Sequence, residues 1–284
     1  MPPTNSPTLR QRRLGAELRK LREQAGLNTP RAAALLGVNQ SRISMIETGR
    51  TPVSADKVRS MASAYECADE QLVDALTTLT GRRERGWWEA YREHVPVALN
   101  DLAELEHHSA ALRVALIVHI PALLQTTDHA RALFQQVAPP MRQYEVEHRL
   151  THRIKRQGVL HRENPPPYTA IVHEAALRMG FGGPEATLGQ LKHLTDMSEL
   201  PHITVKVVPF GVPGFPTTGQ SFDYIEGPVR QLDTVQLDTH YGACEFLDAE
   251  TQLRKYRAVL DRMESCALGP TQSRDFIHRI TQDI

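Results

Sequence analysis

Apolar residues in the first eighty positions recur at helical spacing, interrupted by glycines and capping residues at regular intervals. Leu14, Leu18, Leu21 and Ala25 are separated by Arg, Lys, Glu and Gln, which predicts a helix from Leu9 that Gly26 stops. Asn28 is placed to cap a second helix, and Pro30 falls in its first turn, where a missing N–H costs nothing. Ala32, Ala33, Leu35 and Leu36 carry that helix to Gly37. Asn39 then caps a third, which turns Ile43 and Ile46 inward and ends at Gly49. Two more helices are predicted, over Ser54–Tyr65 and Asp69–Leu79.

The second and third helices satisfy the constraints of a helix-turn-helix. Counted from Thr29, the fifth position, where the helices touch, is the small Ala33. The ninth, which needs left-handed backbone, is Gly37. The inward positions hold Ala32, Leu36, Val38, Ile43 and Ile46, with Ala32 smaller than is usual there. Agreement of several independent constraints over one window favours this motif over a generic helical hairpin. Gly26 through Arg50 resembles the XRE/Cro-type family of DNA-binding domains, five-helix lambda-repressor-like units. The resemblance implies that the third helix enters the major groove. Gln40, Ser41, Arg42 and Met45 would then meet base edges, Gln40 suiting adenine, Arg42 guanine and Met45 a thymine methyl. Thr29, Asn39, Ser44 and Arg50 would meet phosphates, although many family members carry Gln where Thr29 stands. The same resemblance implies a structural ion pair between Arg22 and Glu47.

Charge sharpens this division. The whole chain carries 33 basic and 33 acidic residues, yet residues 1–60 hold 11 Lys and Arg against 4 Asp and Glu, so 11 − 4 = +7 and the remainder carries −7. A basic head on an acidic body fits a nucleic-acid-binding module joined to a module of another kind. Arg10, Arg12, Arg13 and Arg19 would add phosphate attraction or form a solvated helix face.

Beyond a charged joint at 81–90 the pattern changes, giving an expected organisation of 9–80 for the DNA-binding domain, 81–90 for the linker and 91–284 for an α+β regulatory domain. Trp87 and Trp88 open a mostly helical region that runs to about Arg156, with a short strand at Val114–Val118. Strands are predicted at Tyr168–Val172, Ile203–Pro209, Ser221–Ile225, Thr234–Leu237 and Cys244–Leu247, with helices at His173–Met179, Pro184–Ser198, Ala249–Ser265 and Thr271–Thr281. The Trp pair, Pro121–Thr126, His129–Leu133, His173–Arg178, Gly182–Pro184, Leu200–Val205, Val208–Phe210 and Ser273–Ile277 together resemble a large actinobacterial family of antitoxin-like transcriptional regulators. That resemblance implies a small acidic partner protein encoded nearby. Thr239–Cys244 departs from the family, where an acidic residue is usual.

No His-Glu-x-x-His signature, nucleophile elbow or phosphate-cradling glycine loop occurs. His148 and His152, four apart on a helix, lack an evident third ligand and read as ordinary surface histidines. Gly211–Gly219 reads as a long surface connection, with a pocket cover as the alternative. Cys67, Cys244 and Cys266 are too few and too scattered for a disulfide framework. Met1–Pro7 lacks an apolar leader, and no run is long enough to span a membrane. The expectation is a cytoplasmic protein, nucleoid-associated when on DNA, without catalytic residues, metal or cofactor. It would act as a homodimer on double-stranded operator DNA, controlled through its C-terminal domain by a partner protein or a small-molecule effector; the alternative is an antitoxin-like protein that neutralises a small partner protein and autoregulates its operon.

Overall fold

A computed structural model describes residues 7–80, 86–216, 220–239 and 244–284. The N-terminal arm, Gly81–Arg85 of the joint, Thr217–Gly219 of the long connection and His240–Ala243 of the atypical stretch lie outside the described residues. The chain divides into two compact units, Met1–Gly86 with Pro228–Leu232, and Trp87–Gly227 with Asp233–Ile284.

The first unit holds five helices: α1 (Leu9–Gln24), α2 (Thr29–Leu35), α3 (Gln40–Glu47), α4 (Ala55–Ala64) and α5 (Glu70–Thr78). Each starts on a polar residue whose side-chain oxygen accepts a first-turn N–H: Thr8 from Gln11, Asn28 from Arg31, Asn39 from Arg42, Ser54 from Lys57 and Asp69 from Leu72. Such caps contribute about 1 kcal/mol each and fix where a short helix begins. Leu14, Leu18, Leu21, Ile43, Ile46, Val58, Met61, Tyr65 and Leu76 form one core. Leu232, from the segment between two strands of the other unit, is buried in this same core. Its neighbour Gln231 donates to the Asp69 carboxylate at 2.9 Å, and the Gln231 carbonyl accepts from Arg13. Arg13 is therefore a buried residue, also paired with Glu17 at 3.4 Å, and not part of a solvated face.

The second unit is α+β. Its six strands are β1 (Ala111–Leu116), β2 (Tyr168–His173), β3 (Ile203–Val208), β4 (Phe222–Glu226), β5 (Thr234–Asp238) and β6 (Cys244–Leu247), in the order β3-β2-β1-β4-β5-β6. β1, β2 and β3 are parallel, with Val114 opposite Ala170 and Ala170 opposite Val205, whereas β4, β5 and β6 follow antiparallel. Parallel neighbours need long crossovers. Here α6 (Val97–His107) precedes β1, and α7 (Thr127–Gln135) with α8 (Gln143–Gln157) joins β1 to β2. The next crossover, from β2 to β3, is α9 (Glu174–Arg178) with α10 (Gly183–Met197). α11 (Glu250–Cys266) and α12 (Pro270–Gln282) close the chain. Leu112, Val114, Ala170, Val205 and Ile225 face a core shared with α6, α10 and α12, while Ala115, Phe222, Tyr224 and Val235 face α11.

The expected strand at Val114–Val118 is corrected to Ala111–Leu116. Pairing begins earlier because Ala111 and Leu112 sit opposite Glu226 and Ile225, and it stops because the Ile117 N–H goes to the Ser221 hydroxyl at 3.0 Å. His152, expected at the surface, is corrected to a buried position, its ring packed 5.2 Å from Trp87 and 5.4 Å from Tyr91. His148 instead stacks on His94 at 4.2 Å. Among the described residues no group of His, Cys, Asp or Glu is arranged to hold a metal ion, and no helix is long and apolar enough to cross a membrane.

Leu232→Ala is expected to cost the first unit about 2–4 kcal/mol, seen as lost amide-exchange protection in α1–α5; unchanged protection there would contradict the placement of Leu232 in that core. Burial, reinforced by Arg156, Arg153 and Arg149, depresses His152 from 6.5 to about 3. The folded chain thus refuses a proton that the unfolded chain accepts, so this contribution is complete above the ordinary histidine value and shrinks as pH falls below it. His152→Phe is expected to lose less stability than the parent between about pH 7 and about pH 5, measured by urea unfolding followed through Trp87 and Trp88. Equal losses would contradict it.

Candidate nucleic-acid interface

α3 is eight residues long and divides cleanly into two faces. Ile43 and Ile46 are buried, at 0% and 3% exposure, while Gln40, Ser41, Arg42, Ser44 and Met45 are all exposed. The four residues assigned to base edges and the flanking Ser44 therefore share the outward face. Asn39 is exposed too, but its side-chain oxygen is committed as the cap, accepting from the Arg42 N–H at 2.8 Å. Its amide nitrogen is the part left for a phosphate. The capped N-terminus also carries the positive end of the helix dipole, which favours anions.

The turn before α3 depends on Gly37, whose φ of +63° is left-handed, and is closed by the Val38 N–H on the Ala33 carbonyl at 3.0 Å. Ala33 itself is buried at this contact. Thr29 is half-buried at the first position of α2. After α3 the chain folds back so that the Met45 carbonyl accepts from both the Arg50 and Thr51 N–H groups, at 2.9 and 3.1 Å. This loop sets the exposed Arg50 beside the C-terminal end of α3. It passes over α1 at Gly49, where a Cβ would lie 2.8 Å from the Gln11 backbone.

Two features lock α3 against α1. The Arg22 guanidinium binds the Glu47 carboxylate bidentately, at 2.6 and 2.9 Å, and gives a third hydrogen bond to the Leu27 carbonyl at 2.7 Å. Both side chains are only 7% exposed. The hydrogen bond to Glu47 holds the Arg22 pKa above its ordinary value, outweighing burial. Burial, with the Glu47 charge nearby, pushes the Tyr65 hydroxyl up to about 12. The second feature is Gly15, which the helical periodicity gives no reason to notice. A Cβ there would lie 2.5 Å from the carbonyl oxygens of Ile46 and Glu47, so only glycine lets the two helix backbones approach this closely.

Of the arginines of α1 other than Arg13, Arg10 bonds to the Thr78 carbonyl, Arg12 to the Pro7 carbonyl at 2.7 Å, and Arg19 pairs with Glu23 at 2.7 Å.

Arg22→Ala strands the Glu47 carboxylate in a largely desolvated site. It is expected to destabilise the first unit by about 3–5 kcal/mol, read as early exchange of the α1 and α3 amides. A cost under about 1 kcal/mol, typical of surface pairs, would contradict the structural role.

A helix-turn-helix domain model matches residues 13–76, which spans α1 to α5 up to Leu76. A second model, described as a domain of unknown function (DUF5753), matches residues 99–279. Neither a curated protein nor a solved structure matches the chain. Since the second match covers more than half of the sequence, the chain belongs to the DUF5753 family, here preceded by a helix-turn-helix DNA-binding domain.

Proposed function

We propose that this protein is a sequence-specific transcriptional regulator of XRE type, which binds operator DNA as a homodimer and is controlled through its C-terminal unit. The observation that carries this reading is the two-sided α3. Its polar face is wholly exposed, while its apolar face is fixed by Ile43, Ile46 and the Arg22–Glu47 pair. A rigid helix offering Gln, Ser, Arg and Met outward, beside a capped N-terminus, suits base readout in the major groove. The excess of basic residues in the first sixty positions supports general attraction to phosphates.

Dimerisation follows from the size of the reading head. One recognition helix contacts only a few base pairs, and useful specificity comes from two half-sites about a helical turn apart. The DUF5753 unit, more than twice the size of the DNA-binding unit, is the natural receiver of a signal, from a small molecule or a partner protein. In this reading the chain catalyses no reaction and acts in the cytoplasm, where its DNA lies.

Gln40→Ala is expected to weaken operator binding by about 1–3 kcal/mol while leaving binding to unrelated DNA nearly intact. Arg50→Ala is expected to weaken both classes of DNA alike and to lower the slope of log affinity against log salt by about one. Fluorescence anisotropy over a salt series measures both. If each variant kept the parent's operator affinity, the placement of the recognition surface on α3 and its following loop would be wrong.

A further inference from the structure

The second unit carries an unexplained set of interior charges at one end of its sheet. The strands β1, β2 and β3 run parallel and finish at this end, where β4 begins, β5 finishes and β6 begins. The crossovers from β1 and β2 turn towards one side of the sheet, and β4 lies on the other side of β1. In open sheets containing parallel strands, ligands collect at the carboxyl ends beside such a divergence. Asp223 is the second residue of β4, opposite Val114 of β1 and Gln236 of β5. Its neighbours Phe222 and Tyr224 face α11, so Asp223 faces the opposite side, the one that Ile225 shares with the larger core.

Two interior arginines of α8 are held very differently. Arg156 is satisfied: it binds the buried Glu106 bidentately at 2.8 and 2.6 Å. Arg153, one helical turn earlier, has no carboxylate. Its guanidinium bonds to the neutral Gln125 side chain and lies 4.9 Å above the Phe134 ring. Asp223 likewise has no hydrogen-bond or ion-pair partner among the described residues, although its charge and that of Arg153 act on each other. Both side chains are half-buried, so each keeps some access to solvent. Burial, with Asp238 and Glu106 adding repulsion, raises the Asp223 carboxyl to about 7, and burial lowers Arg153 to about 10. Arg156 and Arg153 draw the Asp223 carboxyl down, and Asp238, Glu106 and Asp223 draw Arg153 up, but burial prevails, because among the described residues neither group has an opposite charge in direct contact.

A second, independent observation lies beside Arg153. His129 is 3% exposed, and neither of its ring nitrogens has a partner. Burial, then the charges of His119 and Arg153, lower it to about 4, so it is a neutral imidazole with one donor and one acceptor unused. Its ring and that of His119 both pack on Phe181, at 6.1 and 5.4 Å. Buried polar groups are ordinarily satisfied, so these two nitrogens are open to a bond from a ligand or a water molecule.

We propose that this end of the sheet is the effector site of the regulator and that it takes a small zwitterion of the α-amino-acid class. The ammonium group goes to Asp223, the carboxylate to Arg153, and a polar substituent to His129, with Phe181 and Phe134 supplying apolar walls. Only a ligand carrying both charges satisfies both residues, so an amine alone or an acid alone leaves one of them stranded. The regulatory part of this assignment rests on the DNA-binding reading above; the binding part does not.

The test is thermal unfolding of the full-length protein with each of the twenty α-amino acids at millimolar concentration, and with the matching decarboxylated amines and deaminated acids. At least one amino acid is expected to raise Tm by about 5 °C at a hundredfold excess over its Kd. Its singly charged analogues are expected to shift Tm far less. Asp223→Asn and Arg153→Gln, checked for native circular dichroism, should each abolish the shift. No shift across the panel, a shift shared equally by amines or acids, or a shift that survives both substitutions overturns the site. Operator affinity is measured in the same samples. A ligand that raises Tm without changing operator affinity supports the site and overturns its regulatory role, whereas operator binding with no Tm response to any probe overturns the site alone.

Discussion

The approach of α1 to α3 is the constraint on which the proposed DNA-facing surface depends. α3 has only eight residues, too few for a stable isolated helix. Its orientation therefore comes from what it packs against. Gly15 removes the side chain that would hold the helices apart, and Arg22 then closes the gap by clamping Glu47 and the Leu27 carbonyl together. With Ile43 and Ile46 drawn into the core, the remaining residues of the helix have only one direction left, which is outward. Gly49, pressed against the α1 backbone at Gln11, fixes the return of the chain and hence the position of Arg50. The proposed readout chemistry is thus a consequence of a helix crossing set elsewhere in the sequence.

The second unit obeys a different logic. Its parallel half requires crossovers, and on one of them α8 buries Arg156 and half-buries Arg153. The Arg156–Glu106 pair resolves one pair of those charges. Asp223 and Arg153 are not resolved in this way, and unpaired interior charges are costly unless another group meets them. The β4–β5 connection, Pro228–Leu232, meanwhile belongs to the core of the first unit, so one hairpin carries Asp223 at one end and Leu232 at the other.

Much of the fold was legible in the sequence because it is local. Capping residues, glycine stops and apolar spacing set the five helices within a residue or two, and short runs of β-branched, aromatic and other apolar residues placed five of the six strands. What was not legible is what depends on distant partners. β1 was shifted because its start is set by pairing with β2 and β4, not by its own densest apolar run. Gly15 looks like any helical glycine until α3 lies against it. Arg13 looks like a solvated arginine until Gln231, over two hundred residues away, receives its hydrogen bond. His152 shares a helical face with His148, yet burial is decided by Trp87 and Tyr91. At the candidate interface, the outward residues of α3 were readable from periodicity alone. The interior set of Asp223, Arg153 and His129 was not, because no spacing connects them.

The central claim is that two copies of α3 read a symmetric operator, and it is tested most directly by selecting duplexes from a random library with the full-length protein. An enriched inverted repeat is expected, its half-sites centred roughly 10 base pairs apart or a multiple of that. Recovery of no enriched sequence, or of a single unrepeated motif, would contradict it.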